Sequence, residues 1–395
     1  MNKRPLEGLR VLDMTAFISG PFNTMLLADL GAEVIKVERP PAGDALRNFA
    51  VHVQGTSTYF VGANKGKKSI VLDLKKPEHK QVLLELVKHC DIFTENYRPG
   101  TVEKMGISYQ DLIKIKPDII YVSTSGFGQT GPYRERGGID TAIQAISGFM
   151  SMTGPKGGEP TKAGPSIADM IAGLYGCIGT LAAVIHHKNT GEGQYVDVAM
   201  LDCMVSMLDN AVTKYFFNGE IPKPNGNYHH SSAPLQPFPT SDGNIMVCCP
   251  SDNNFKVLTE ALGVPELIQD ERFDITAHRF EHVPELEAIL TPLFQKMTTD
   301  EAAELLEEHG LPYGVVNTID RMVRDKQIQA RELFVKVHDH KAGDFTCVGM
   351  PLKFSTIETP REVVTPQLGE NNVDVLTNLL GMSSEEVDAL YSERR

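Results

Sequence analysis

A chain of 395 residues, 41% hydrophobic and 23% charged, is long enough for two or three domains with full cores, which excludes a mini-protein, a disordered chain and a coiled-coil rod. The formal net charge of -13 opposes nucleic acid as a partner, because that affinity comes largely from neutralised phosphates. The six cysteines have no CxxC spacing and sit in apolar stretches, which argues against both zinc and a disulfide framework.

The first seven residues are briefly basic and lead into Arg10 and Asp13 instead of an apolar signal core, so the expected setting is cytoplasmic. Residues 10–14 read as a strand. Residues 21–30 read as a helix, with Pro21 in its first turn and Gly31 after it, and 33–37 as a second strand. The pattern continues with a strand at 69–74, a helix at 77–89, a strand at 91–94, two short helices to about 114 and a strand at 118–123. Alternation of this kind predicts a parallel, doubly wound, Rossmann-like sheet. Around Pro222, Pro224, Gly226, Pro234, Pro237 and Pro239 the chain becomes turn-rich, and beyond it a strand at 244–249 and several short helices predict a smaller α+β domain. One of those helices starts with the capping-box spacing Thr298-x-x-Glu301 and ends at Gly310. The expected organisation is a large domain from 1–205, a linker at 206–224, a small domain at 225–325, and a return of the chain to the large domain over 326–395.

Gly126-Phe127-Gly128-Gln129-Thr130-Gly131 matches GxGxxG after a strand, but Pro132 and charged residues follow and no helix opens at the third glycine. A dinucleotide site needs that helix, so the loop is read as flexible backbone that can approach a ligand closely. Residues 170–185 form an apolar run near membrane-span length, but it is short and holds Gly173, Gly176 and Gly179, so a buried helix is expected. Asp169 stands at the start of this helix, above a strip formed by Ala172, Gly173, Gly176, Gly179 and Ala183, where another backbone or a slim ligand can come close. The plainer reading is an acid favoured by the helix dipole, with the glycines serving helix packing. His186-His187 and His229-His230 are adjacent pairs that cannot face one metal from a helix, and His338 with His340 has no third ligand; no metal is expected. Lys36, Arg39, Lys65, Lys67, Lys68, Arg98 and Lys104 fall near strand ends and loops, where ligands of open α/β sheets bind and where a phosphate-bearing ligand would meet them.

Taken together, several segments resemble the class III coenzyme A transferases, the formyl-CoA and carnitine-CoA transferase family. They are the stretches 5–13, 30–39, 64–69, 95–100, 126–132 and 193–198, and, near the end, 351–355 and 368–370. The resemblance implies transfer of coenzyme A from an acyl-CoA to a free carboxylic acid, no tightly bound cofactor, and an interlocked homodimer without a membrane. It places Asp169 as the covalent nucleophile, Arg39, Leu72, Asn96, Arg98 and Lys104 at coenzyme A, and Ile18, Ser19, Gly128 and Gln129 at the substrate. Where the formate and oxalate enzymes carry a glutamine after the first strand this chain has Ile18, and Cys248-Cys249-Pro250-Ser251-Asp252 lacks their glycine loop, so an acid larger or less polar than oxalate is expected. The usual histidine after Gly-Glu is replaced by Asn371, with no functional meaning attached. An acyl-CoA racemase of the same superfamily is the competing enzyme, and a non-catalytic coenzyme A binder the competing non-enzyme. Racemisation needs a second proton-carrying group. The related racemases have Gly-His-Asp where this chain has Gly138-Ile139-Asp140, and isoleucine carries no proton.

Overall fold

The computed structural model describes residues 3–49, 51–229 and 231–392. His230 lies outside them, so of the second histidine pair only His229 is described. Two compact units result: one from the described residues of 1–150, 162–220 and 331–395, the other from 151–161 and 221–330.

The first unit is built on strands β1 (Arg10–Asp13), β2 (Glu33–Glu38), β5 (Lys68–Val71), β6 (Ile92–Glu95), β7 (Ile120–Ser125) and β8 (Gln194–Ala199), with a short hairpin, β3 (His52–Val53) and β4 (Thr56–Ser57), to one side. The six long strands are all parallel, in the order β5-β2-β1-β6-β7-β8. A parallel sheet must be covered on both faces, and the residues alternate accordingly. Val11, Val34, Ile92, Val122 and Val198 point into one core with helices α1 (Ser19–Asp29), α6 (Asp140–Ile146), α7 (Ile167–Thr190) and α8 (Met200–Val205). Leu12, Ile35, Ile70, Phe93 and Tyr121 point into the other, against α3 (Pro77–Lys88) and the C-terminal helix Asn372–Leu380. Helix α2 (Thr58–Asn64) carries Val61 onto a further sheet, β13-β12-β14, formed by Gly343–Val348, Phe334–Asp339 and Glu362–Thr365.

Helix α7 is long and apolar enough to cross a bilayer by length and composition. Only one face of it lies in the core, where Ala168, Ala172, Gly173, Gly176, Cys177, Thr180, Ala183 and Val184 are buried, while Leu174, Ile178 and Ile185 on the other are exposed, so the expected buried helix is half-buried. The segment read as a linker contains a helix, α9 (Ala211–Asn218). In the second unit, strands β9 (Leu235–Pro239), β10 (Asn244–Cys248) and β11 (Tyr313–Val315) form an antiparallel sheet in the order β11-β10-β9, over which Phe255, Leu258, Leu290, Phe294 and Leu306 close a core. The helix Thr299–Glu308 has the expected capping box at Thr298 and Glu301. In the same unit the fully buried Arg279 gives its guanidinium to the carbonyls of Ala233 and Phe273 and to Asp252.

Candidate active site

The position of Asp169 follows from topology. Helix α7 leads directly into β8 and runs antiparallel to it, so its N-terminus lies at the carboxyl edge of the sheet, beside the start of α1, which follows β1. The two helices pack closely: a Cβ on Gly173 would fall 2.8 Å from the Phe22 ring and 2.9 Å from the Ser19 carbonyl, and one on Gly176 would meet Asn23 at 3.1 Å. The small-residue strip of α7 is therefore filled by α1, and at Gly179 by Val196 of β8, instead of being open to a ligand.

Asp169 stands at the third helical position, half-buried, after Ser166 at the N-cap. A helix N-terminus favours a carboxylate. Burial outweighs this, and the neighbouring Asp140 carboxylate adds to it, so the Asp169 carboxyl is pushed up to about 7. Asp140 is held where it is by its own bonds. Its Oδ1 accepts the Ala168 N–H of the first turn of α7 at 2.8 Å, and its Oδ2 accepts the Gln144 amide at 2.7 Å. Sequence reading noted Asp140 only as the residue after Ile139 and missed it as the partner that raises Asp169; its place four residues before Gln144, at the start of a helix, was the available signal.

The same carboxyl edge collects the expected coenzyme A residues. Arg39 follows β2, Leu72 follows β5, and Asn96 and Arg98 follow β6, while Lys104 sits on the short helix α4 (Thr101–Met105), ahead of α5 (Tyr109–Leu112). Arg39, Arg98 and Lys104 are exposed. Leu72 is fully buried and donates its N–H to the Glu38 carbonyl. Asn96 bridges two strand ends, accepting the Ala16 N–H at 2.8 Å and donating to the Ala16 carbonyl at 2.7 Å.

Four of the seven basic residues expected near a phosphate are instead engaged within the protein. Lys36 pairs with Asp44 at 2.8 Å, Lys65 with Asp29 at 2.8 Å and Lys67 with Asp13 at 3.1 Å, all buried, and Lys68 pairs with Glu33 and Asp374. An unpaired buried cation is too costly to persist, so carboxylates accompany each one. Burial pulls Lys67 down to about 8, although Asp13 acts to raise it. Burial alone would raise Asp13, yet Lys67, Lys36 and the hydroxyls of Thr15 and Thr24 hold it below the usual range.

Of the expected substrate residues, Ile18 is partly buried and packs against the small cluster of Leu46, Phe60 and Ala63. Ser19 is buried, with its carbonyl toward Gly173. In the glycine-rich loop, Gly126 and Gly138 meet backbone to backbone: a Cβ on Gly126 would lie 2.6 Å from the Gly138 Cα. Gly128 has a φ of 82°, which suits glycine. The next helix begins only at Asp140, so no dipole faces the third glycine. Gln129 donates its N–H to Asp197 at 2.9 Å and its side-chain amide to Ser123 at 2.8 Å, and the Ser123 hydroxyl donates to Glu95. Burial pushes Glu95 up to about 7. His338 Nδ1 lies 2.9 Å from Asp344 Oδ1 and His340 Nε2 lies 3.0 Å from Glu370 Oε1.

The fold built on this six-stranded parallel sheet is shared with CaiB/BaiF family proteins. A crystal structure of one from Brucella suis matches 96% of this chain and 100% of its own at 35% identity, with a TM-score of 0.88. The chain belongs to CoA-transferase family III, whose sequence profile matches residues 6–372. Among curated relatives, human "Succinyl-CoA:glutarate CoA-transferase" is 36% identical over 99% of this chain and 90% of its own. "Succinyl-CoA--D-citramalate CoA-transferase" of Chloroflexus aurantiacus is 34% identical over 99% and 98%. The protein is a class III CoA-transferase that uses coenzyme A thioesters as co-substrates.

Proposed function

We propose that this enzyme moves coenzyme A from a succinyl-type thioester to a free dicarboxylic acid, with Asp169 as the covalent carrier. The observation that carries the reading is Asp169 itself: a half-buried carboxyl at a helix start, at the sheet edge where ligands of open α/β folds bind, with its pKa raised to about 7. The donor and acceptor classes rest on relatives named for succinyl-CoA paired with glutarate or D-citramalate.

In this reading an Asp169 oxygen attacks the thioester carbonyl and the C–S bond breaks, giving a mixed anhydride and coenzyme A thiolate. The thiolate attacks the aspartyl carbonyl, the acyl carboxylate leaves, and Asp169 carries a thioester. The acceptor carboxylate then attacks that thioester, re-forming thiolate and a new anhydride. Attack of the thiolate on the acceptor's carbonyl releases the product and restores Asp169. A carboxylate suits each step because it is both nucleophile and leaving group, and burial makes it a stronger nucleophile than an exposed one. Arg39, Asn96, Arg98 and Lys104 are the groups that would hold coenzyme A at the strand ends.

The exposed apolar side chains of Leu174, Ile178 and Ile185 on α7, with Phe216 and Phe217 near the end of α9, support a homodimer. A monomeric mass at micromolar concentration would count against it. For the reaction, the protein is incubated with succinyl-CoA and a panel of dicarboxylic acids, and new thioesters are identified by mass spectrometry. The peptide containing Asp169 is expected to gain the mass of coenzyme A, and Asp169→Ala to lose both adduct and transfer while remaining folded. Full activity in that variant overturns the mechanism.

A further inference from the structure

We propose that Asp44 is a positioning residue for transfer: it holds the loop between β1 and α1 in a strained form that the acyl-CoA subsite requires. The proposal rests on the reading that the site lies at the start of α7. The strain is visible at Phe17, a non-glycine residue with a φ of 62° whose large side chain is 54% exposed. Such a conformation persists only where the surroundings over-determine it, and it clusters at functional sites.

Here three successive residues are fixed from other elements. The Thr15 carbonyl accepts Lys36 Nζ at 2.7 Å, Ala16 is bound on both sides by Asn96, and Phe17 gives its N–H to Asp44 Oδ1 at 3.1 Å. Asp44 is itself fixed. Its Oδ1 also accepts the Leu46 N–H at 3.0 Å, its Oδ2 lies 2.8 Å from Lys36 Nζ, and its own N–H goes to Glu38 at 2.9 Å. Glu38 is in turn gripped by Arg47 and Ser69. Asp44 and Lys36 are buried, and a buried ion pair is a poor stabiliser by comparison with apolar packing, so a positioning role accounts for it better than a stabilising one. The loop so held runs into α1 at Ser19, whose carbonyl abuts Gly173, four residues beyond Asp169. The geometry thus links Asp44 to the catalytic end of α7 through a chain of direct contacts.

Asp44→Asn keeps the shape but cannot serve both partners. If the amide oxygen accepts from Phe17 and Leu46, the amide nitrogen confronts Lys36; if it is flipped, Phe17 loses its acceptor. The test measures kcat/KM for transfer from succinyl-CoA in Asp44→Asn, Phe17→Gly, Phe17→Val and the Asp44→Asn/Phe17→Gly double variant, with circular dichroism to establish folding. Glycine adopts positive φ freely and valine does not, while both remove the phenyl ring. Expected are a loss of about ten-fold or more in Asp44→Asn, at least about five-fold higher kcat/KM in Phe17→Gly than in Phe17→Val, and partial recovery in the double variant. Wild-type kcat/KM in folded Asp44→Asn, or equal values for the two Phe17 variants, overturns the proposal. If Asp44→Asn does not fold, the Phe17 pair decides alone. A wild-type enzyme that transfers coenzyme A without any adduct on the Asp169 peptide overturns the covalent reading and leaves the loop result standing.

Discussion

Alanine in place of Gly173 and of Gly62 should move stability in opposite directions, although both glycines lie inside helices of the same unit. Each change gains intrinsic helix propensity of about 0.5–1 kcal/mol, because glycine gives up the most backbone freedom on folding. At Gly62 the new methyl meets nothing within 4 Å, so the gain stands. At Gly173 it meets the Phe22 ring edge at 2.8 Å, the Ser19 carbonyl at 2.9 Å and the Phe22 Cβ at 3.1 Å. A ring edge can turn, but a backbone carbonyl and a Cβ give way only if α1 moves. Overpacking of this kind costs about 1–3 kcal/mol, and three simultaneous contacts place it in the upper half of that range. The net expectation is a loss of about 1–2 kcal/mol for Gly173→Ala against a gain of up to about 1 kcal/mol for Gly62→Ala. Urea unfolding followed by circular dichroism reads both as shifts in midpoint at constant slope. Transfer activity should fall in Gly173→Ala alone, because the displaced residues begin α1 beside Asp169. A Gly173→Ala protein as stable as the wild type would refute the close α1–α7 contact and the account of the small-residue strip built on it.

In the proposed mechanism Asp169 attacks as the anion, and its carboxyl is pushed up to about 7 by burial and Asp140, so transfer should rise with pH through about 7 and then level off; a rate unchanged between pH 5 and 8 contradicts this. The sign for stability is the reverse: the folded state holds the proton above the ordinary aspartate value of 3.8, so stability falls as pH rises from there to about 7, and Asp169→Ala should melt higher than wild type at pH 8 with little difference at pH 4. Lys67→Met should destabilise the large unit by about 3–5 kcal/mol in urea unfolding, because it leaves the buried Asp13 carboxylate without its cation; near-wild-type stability would mean that Asp13 takes up a proton cheaply. Arg39→Ala should raise the KM for acyl-CoA about ten-fold with kcat little changed, as expected for a lost charge-assisted phosphate contact, and an unaltered KM would remove Arg39 from the coenzyme A site.

The parallel sheet and the helix bearing Asp169 were legible because periodicity and turn residues are local properties: Val11 and Leu12, or Val34 and Ile35, reveal a strand covered on both faces by their apolar run alone. Charge pairing across the fold was not legible. Lys36, Lys65 and Lys67 look like phosphate ligands in sequence, and only the fold brings Asp44, Asp29 and Asp13 against them. The packing of Ile18 was not legible for the same reason, since Leu46, Phe60 and Ala63 reach it from later in the chain. The strain at Phe17 is equally silent in sequence, where phenylalanine carries no turn signal.

Strand β5 lies at the edge of the parallel sheet, and its outward backbone groups are met by the chain's far end: Asn371 Oδ1 accepts the Ser69 N–H, the Asn371 N–H is given to the Ser69 carbonyl, and Asn372 Oδ1 accepts the Val71 N–H. The asparagine that follows Gly369-Glu370 thus has a structural use. Ser69 and Asn371 are 302 residues apart. At roughly 5–20 residues per second, a ribosome would deliver the cover about 15–60 s after the strand it protects. Through that interval the nascent sheet presents an unpaired edge to its neighbours on the polysome, and a chain stopped short of Asn371 would carry that adhesive edge permanently.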